Sequence, residues 1–552
     1  MTMDSRVALV LERHKSMDSA RGQHWLQHWQ ELADVMLPRR ADFVARTTPG
    51  ERRTENVYDG TPMLARRALA SAIDGLLKPK TARWFRIRVQ DDAVNEDDEA
   101  RRWFEDAEKR MWAAIYARKA HFVQRSGEVD NDLVTFGTGV LFIGERRDLG
   151  GLMFKSIHLR DALVDENADG EIDTLYQTIW CTPRQAKQKW GEENLSTRVK
   201  EALKTPAEKD KLFRFVQAVF PREDRDTEKS DSRNLPFASL IVDADGEHLV
   251  GESGFHEFPF AVPRWETAAG EVYGRSPGMI ALPDAKTLQA MGKTLLVGSQ
   301  KAVDPPMWAM DDAVIGAART MPGGMTYLDG SGWSGSGAPM GVLDMGKNIP
   351  LGREMQNDTR EQVWQAFFRN VLNLPTDGPQ MTATEVLERK EEFIRTIGPV
   401  FGQLESDYIG QIVERCFGIM VRAGAFAEAP EILAEREPKF EFESPVARAR
   451  RQSEIGGFAR AMEVLTPLIT VQADMLDRFD TDQIAEDVPE ALGASLKWLR
   501  TDAQVDAIRQ ERKAKEMAAM ALEAGESVAR MAKDAAAAGP PPGMMAPEGQ
   551  AA

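Results

Sequence analysis

Several short patterns in this chain of 552 residues place chemically capable side chains at motif spacing. Gly274-Arg275-Ser276-Pro277-Gly278 matches G-x-S-x-G, the strained turn that presents a hydrolase nucleophile. That turn needs the residue after the serine to donate its backbone N–H to an oxyanion, and Pro277 has no N–H. Serine followed by proline reads instead as a helix start, with Ser276 as cap and Pro277 at the first position. Gly292-Lys293-Thr294 ends like a phosphate loop, but Thr287 stands where the first glycine belongs and the surroundings are helical in pattern. Asp165, Asn167, Asp169 and Gly170 open like a calcium loop, with Asp173 in the ninth place. Tyr176 occupies the twelfth place, where a bidentate glutamate is needed, so a hairpin turn with at most an opportunistic cation is expected. His24 and His28 share a helix face without a third ligand near them in sequence, and the remaining histidines are scattered. No enzyme class survives, and neither a metal nor a cofactor is expected.

The elements that carry these residues change character along the chain. Trp25, Leu26, Trp29, Leu32, Ala33 and Met36 recur at helical spacing until Pro38. Further helices are predicted from Thr61, as a cap before Pro62, to Leu77 and from Asp98 to Ala120. From about Val134 the period shortens. Val140–Ile143 and Leu152–Phe154 flank a glycine turn, and polar helical stretches near Pro183–Trp190 and Leu195–Ala207 interrupt further short apolar runs. Gly278 to Val303 is again helical, stopped by Asp304-Pro305-Pro306. Residues 304–350 are rich in glycine, methionine and proline and suit a small, irregular excursion containing β-structure. Helix resumes from about Leu351 to Leu372, breaks at Asn373–Pro379, and has no proline but Pro399 from Met381 to Arg422. The end is helical before a tail of alanine, glycine, proline and methionine.

Composition bounds the function. Lys and Arg number 70 against 87 Asp and Glu, a net charge of −17, with 42% hydrophobic residues. That is enough apolar material for a sizeable core. Holding nucleic acid by neutralising phosphates needs clustered cations, which an acidic balance disfavours. Two cysteines, Cys181 and Cys416, build no disulfide framework, and no apolar run has the form of a signal peptide or membrane span, so synthesis in a reducing cytoplasm is expected.

In this order of elements lie landmarks that resemble the portal, or head-to-tail connector, proteins of short-tailed bacteriophages. They are Trp29-Gln30-Glu31-Leu32-Ala33 with Leu37-Pro38, Tyr58-Asp59-Gly60-Thr61, Leu76-Leu77-Lys78-Pro79, and Phe136-Gly137-Thr138-Gly139. Gly170-Glu171-Ile172-Asp173-Thr174 follows, then Trp265-Glu266 with Gly270-Glu271-Val272-Tyr273-Gly274-Arg275-Ser276-Pro277-Gly278. Met381-Thr382-Ala383-Thr384-Glu385-Val386 and Ser444-Pro445-Val446-Ala447-Arg448-Ala449 complete the series.

The resemblance implies an α+β, mainly helical subunit of a ring, usually of twelve copies, at one capsid vertex. Residues 1–275 would be an α/β wing, 276–303 and 351–373 the stem helices, and 304–350 the clip. Residues 374–381 would form a tunnel loop, 382–423 the long helix behind it, 424–534 a helical crown and 535–552 a disordered tail. Such a subunit is made in the host cytoplasm and resides in the virion. Its implied partners are its own copies, double-stranded DNA passing without sequence specificity, the terminase large subunit, tail adaptors, and capsid and scaffolding proteins, with no membrane. An acidic wall would let DNA slide where a basic one would hold it.

Lys286, Lys293 and Lys301 lie seven and eight residues apart, about two turns each, on one broad helix face. In a ring that face would centre the duplex; otherwise it is a solvated face. Pro375-Thr376-Asp377-Gly378-Pro379 carries no cation, so a tunnel loop there would touch DNA sterically, and the same residues suit a tight helix–helix turn. Trp333, in a glycine-rich stretch, would either anchor a partner or sit in an idle loop. Trp364, Phe367 and Phe368 are expected to pack between neighbouring copies. Two other readings stay open: a head–tail adaptor that conducts no DNA, or an enzyme with a dispersed site.

Overall fold

The computed structural model describes residues 4–309 apart from 45–47, 49, 147–149, 227 and 230, then 340–342, 349–369 and 398–443 apart from 435. Beyond these it describes 461–462, 464–466, 479, 484–485, 488–489, 500 and 502–537. Trp333 and the five residues Pro375, Thr376, Asp377, Gly378 and Pro379 lie outside the described residues. The chain forms two compact units: residues 1–90, 106–428 and 437–450 in the first, and 91–105, 429–436 and 451–552 in the second.

The first unit opens with α1 (Ser5–Met36), capped by the Asp4 carboxylate and kinked at Gly22, where φ is +68°. After α2 (Thr61–Leu77) comes β1 (Phe85–Val89), whose alternating burial follows its alternating apolar and arginine residues. Next in the chain are α3 (Asp92–Asn95), α4 (Asp98–Ile115) and α5 (Phe122–Phe136). Strands β2 (Leu141–Glu145) and β3 (Leu152–Ser156) make the expected hairpin. Then β4 (Ala162–Glu166), β5 (Ile172–Cys181), β6 (Phe213–Pro221), β7 (Phe237–Asp243) and β8 (His248–Phe255) run as an antiparallel sheet in chain order. Between β5 and β6 the chain forms α6 (Pro183–Trp190) and α7 (Thr197–Lys204).

Alternation along the strands gives this sheet two apolar faces. Tyr176, Val216, Ala218, Leu240 and Val242 pack under Val7, Val10 and Met17 of α1. Ile179, Cys181, Phe213 and Phe215 pack under Ala186 of α6 and Val199 and Ala202 of α7. Burial of both faces explains why the strands read as apolar runs instead of clean alternation. The hairpin joining β4 to β5 is held by Asn167, whose side-chain oxygen accepts from the N–H groups of Asp169 and Glu171 at 2.9 Å each. Gly170 takes φ +82° there. The calcium-like residues therefore close a turn, and Asp165 pairs with Arg13 at 2.6 Å.

A short β9 (Phe260–Ala261) joins β2, and α8 (Pro277–Val303) follows. Strands β10 (Met307–Ala309) and β11 (Met340–Val342) pair antiparallel before α9 (Ile349–Ala366). The helix from residue 398 is α10 (Gly398–Leu404), a π-turn (Glu405–Gly410) and α11 (Gln411–Arg422) without interruption. Residues 424–534, expected as a helical crown, also contain a strand. Strand β12 (Pro438–Phe442) pairs with β1, with Ile87 opposite Phe440. The second unit holds α12 (Asp502–Ala537), 36 residues long. This helix runs past residue 535, where a disordered tail was expected to start. The architecture is mainly helical with antiparallel sheets.

Candidate functional site

The start of α8 shows what two of the sequence landmarks do. Ser276 accepts from the Met279 N–H at 3.1 Å and donates to the Thr135 carbonyl at 2.7 Å, so one hydroxyl caps α8 and ties it to α5. Directly beside it, Gly137 sits at φ +83°, where a Cβ would come within 2.1 Å of the Gly274 carbonyl oxygen. Thr138 accepts from the Gly274 N–H at 2.8 Å. The Phe136-Gly137-Thr138-Gly139 and Gly274-Arg275-Ser276 stretches are thus two halves of one backbone joint that aims α8. The nucleophile-like serine is fully engaged as a cap, and Gly292-Lys293-Thr294 lies inside α8 with Thr294 donating to the Ala290 carbonyl at 2.9 Å.

Helices α8 and α9 pack antiparallel. A Cβ on Gly352 would meet Leu295, Gly292 faces Gln356, and Thr359 reaches Met291, so numbering falls on one helix as it rises on the other. Buried Leu288 and Val363 continue the seam. The pair is braced by Asp59, in the loop before α2. Its carboxylate accepts from the Thr61 N–H at 2.9 Å, from Gln356 at 3.2 Å and from Arg360 at 2.8 Å. Gln289 of α8 completes the brace, accepting from the Tyr58 and Asp59 N–H groups at 2.7 and 2.9 Å. Burial alone would raise the Asp59 carboxyl, but the Thr61 and Arg360 hydrogen bonds outweigh it and hold the group below its ordinary value. Asp59, and not Thr61 as expected, therefore supplies the acceptor at the start of α2. Replacing Asp59 with Ala leaves Arg360 and Gln356 without their acceptor, so we expect a loss of about 2–4 kcal/mol. A denaturant midpoint unchanged from wild type would refute this role for the brace.

The three lysines of α8 do not share one environment. Lys286 donates to Glu31 of α1 at 2.7 Å, an exposed pair of the kind worth about 0–1 kcal/mol. The Lys293 ammonium lies 5.9 Å from the centre of the Tyr58 ring. Lys301, in the last turn of α8, is exposed and has no ion-pair partner among the described residues. Phe367, just past the end of α9, is buried within the chain, 1% exposed, and Arg369 covers Trp364 at 4.5 Å. The aromatic side chains at the end of α9 and just beyond it are therefore committed partly to internal packing.

On α9, the face turned away from α8 carries a row that the sequence reading passed over. Glu354, Asp358 and Glu361 recur at four- and three-residue spacing, and all three are exposed without an ion-pair partner among the described residues. The row covers about 10 Å of helix. Its signal was the i, i+4, i+7 spacing of carboxylates opposite the buried Gln356, Thr359 and Val363.

The described part of the long helix is held by a second polar cluster. Lys78, whose side chain is fully buried, donates to Asp130 of α5 at 2.6 Å and to the hydroxyl of Tyr408 at 3.2 Å. Tyr408 sits in the π-turn and donates to the Ser126 carbonyl at 3.4 Å. Burial lifts Asp130 to about 6 in spite of the adjacent Lys78 ammonium, and burial likewise raises Tyr408. The second carboxylate oxygen of Asp130 has no hydrogen-bond partner among the described residues. No group of metal-ligating side chains occurs among the described residues, and no helix among them is long and apolar enough to cross a membrane.

Residues 8–499 match the family described as bacteriophage head to tail connecting protein. The chain is 28% identical over 521 residues to the probable portal protein of Bordetella phage BPP-1, covering 93% of this chain and 92% of that protein. It is also 28% identical over 514 residues to the portal protein of Salmonella phage epsilon15, covering 92% and 91% respectively. A chain of the virion of a native gene transfer agent particle aligns at a TM-score of 0.35 and 11% identity, over 75% of this chain and 91% of that one.

Proposed function

The chain belongs to the bacteriophage head to tail connecting protein family, and we propose that its copies form a closed ring at one capsid vertex through which double-stranded DNA enters and leaves the head. It is a head–tail connector, a structural component of the virion and not an enzyme. In our reading residues 1–275 are the wing, α8 and α9 the stem, and the segment between them the clip, where the terminase large subunit docks during packaging and tail adaptors dock afterwards. Contacts with capsid and scaffolding proteins would fall on the outside of the ring. The observation that carries this reading is the row Glu354, Asp358 and Glu361 on a helix pair braced from behind by Asp59.

A duplex moving past a wall of carboxylates is repelled evenly and finds no sequence to hold, whereas neutralising cations would retain it. We assign the wall of the conduit to this row. The row and the lysine face of α8 turn in different directions, so the lysines divide in their roles. Lys286 and Lys293 steady α8 against Glu31 and Tyr58, and Lys301, in the last turn of α8, is the one of the three with no such contact among the described residues. The tunnel loop at Pro375-Thr376-Asp377-Gly378-Pro379 and a docking role for Trp333 remain part of the proposal. Negative-stain images of the purified full chain test it: we expect closed rings with a central hole, and a compact monomer with nucleotide-dependent turnover would sink it.

A further inference from the structure

One side of α2 carries Arg66, Arg67, Ala70, Ser71 and Asp74, at the three- and four-residue intervals of a single helix face. That face lines an open cleft of about 1010 Å³, shared with Glu128, Asn131 and Asp132 of α5 and with Arg39 and Arg40, which follow α1. A cleft of this size takes a small ligand. Its carboxylates are already matched. Asp132 pairs with Arg40 at 3.1 Å, Glu128 with Arg125 at 3.0 Å, Asp74 with Lys78 at 3.7 Å and Asp42 with Arg160 at 2.9 Å. Three of the arginines are not. Arg66 is only 8% exposed, and its guanidinium donates to neutral oxygens, the Met36 carbonyl at 3.1 Å and the side-chain oxygen of Asn131. Arg39 and Arg67 are exposed and have neither a hydrogen bond nor an ion pair among the described residues. Burial lowers Arg66 to about 10 against the pull of Asp132, and the charge of Arg67 adds to the lowering, yet Arg66 stays charged at neutral pH. A buried cation with no anion against it is costly until one joins it.

We propose that this cleft binds a small phosphate-bearing anion, an inorganic or nucleoside polyphosphate, held by the guanidinium groups of Arg39, Arg66 and Arg67. Among the described residues no lysine lines the cleft, and a planar guanidinium offers paired N–H donors that fit phosphate oxygens two at a time. Three unmatched positive charges suit a chain of phosphates better than a single carboxylate. Arg66 is the buried end of the site. Asn131 aims it, since its amide nitrogen donates to the Gly127 carbonyl at 2.5 Å and so turns its oxygen to the guanidinium. Arg39 and Arg67 stand at the open side, where the exposed hydroxyls of Thr54 and Ser71 add two more donors. The site is made within one chain, so it goes beyond the conduit and stands whether or not rings form.

Calorimetric titration of the purified full chain with inorganic triphosphate, and separately with ATP, tests the site. We expect saturable binding of one anion per chain. Arg39→Gln and Arg67→Gln should each weaken it about tenfold, the loss expected when a hydrogen bond to a charged group is removed. Both side chains are exposed, so these variants should fold as wild type does. Arg184→Gln, an exposed position on α6 outside the cleft, should bind like wild type. ATP binding tighter than triphosphate would place a nucleoside in the cleft, and equal affinity would assign the phosphate chain alone; either supports the site. Binding of neither anion, binding that Arg39→Gln and Arg67→Gln leave unchanged, or binding of a duplex oligonucleotide alone would overturn it.

Discussion

Replacing Lys78 with Met should cost about 3–5 kcal/mol, one of the two largest effects expected of a change in this protein. The ammonium has no exposed surface, and its partner Asp130 is 1% exposed and already lacks a hydrogen bond at one oxygen. Removing the cation leaves a carboxylate in the core without its charge partner. Tyr408 loses a donor as well, and with it part of what anchors the π-turn between α10 and α11. Changing Lys78 to Met and Asp130 to Leu together should recover most of the loss, because apolar residues of similar size replace a buried pair at little cost. Denaturant unfolding of the wild type, the single and the double variant decides it, and a double variant no better than the single would contradict the pair.

The same cluster sets a pH dependence of defined sign. Folding raises Asp130 from its ordinary 3.8 to about 6, so between those values the folded chain holds a proton that the unfolded chain has lost. Stability contributed by this group therefore falls as pH rises from about 4 to 6. The difference between the stability–pH curves of wild type and Asp130→Asn should carry that slope.

Charge reversal at Glu354, Asp358 and Glu361 should have the second large effect. Wild-type rings are expected to retain no duplex even at low salt. With lysine at all three positions, every copy gains six units of positive charge at the wall, and the duplex should bind tightly. A wall that neutralises six to ten phosphates gains an affinity that falls about a thousandfold or more between 50 and 200 mM salt. Packaging should drop at least tenfold, since DNA that is held cannot slide. The substitutions are on the exposed face of α9, so folding and ring assembly should be preserved. Intact variant rings that neither bind DNA nor slow packaging would show that the row lies elsewhere than along the conduit.

What the sequence revealed follows from which interactions are local. Ser276 and Pro277 announce the start of α8 because capping involves neighbours, and Ser276 accepts from Met279 in the structure. The lysine spacing on α8 was readable for the same reason, although the partners Glu31 and Tyr58 were not. Helix α5 went unread because its buried side carries Ser126, Asp130, Asp132 and Thr135 among the apolar residues, which breaks the periodicity that marks a helix. The two aspartates are tolerated inside because distant cations pair with them, Lys78 with Asp130 across 52 residues and Arg40 with Asp132, while Ser126 and Thr135 donate to carbonyls of their own helix. The brace at Asp59 spans 230 residues to Gln289 and 297 to Gln356. Strand β12 was hidden likewise, since a half-buried strand that pairs Phe440 with the far earlier Ile87 has no local signature.

The most direct measurement is a reconstruction of the purified full chain by electron cryomicroscopy. The account predicts a closed ring with the carboxylates of Glu354, Asp358 and Glu361 facing the central hole. A monomer, or a ring in which that row is buried between subunits or turned to the outside, would contradict it.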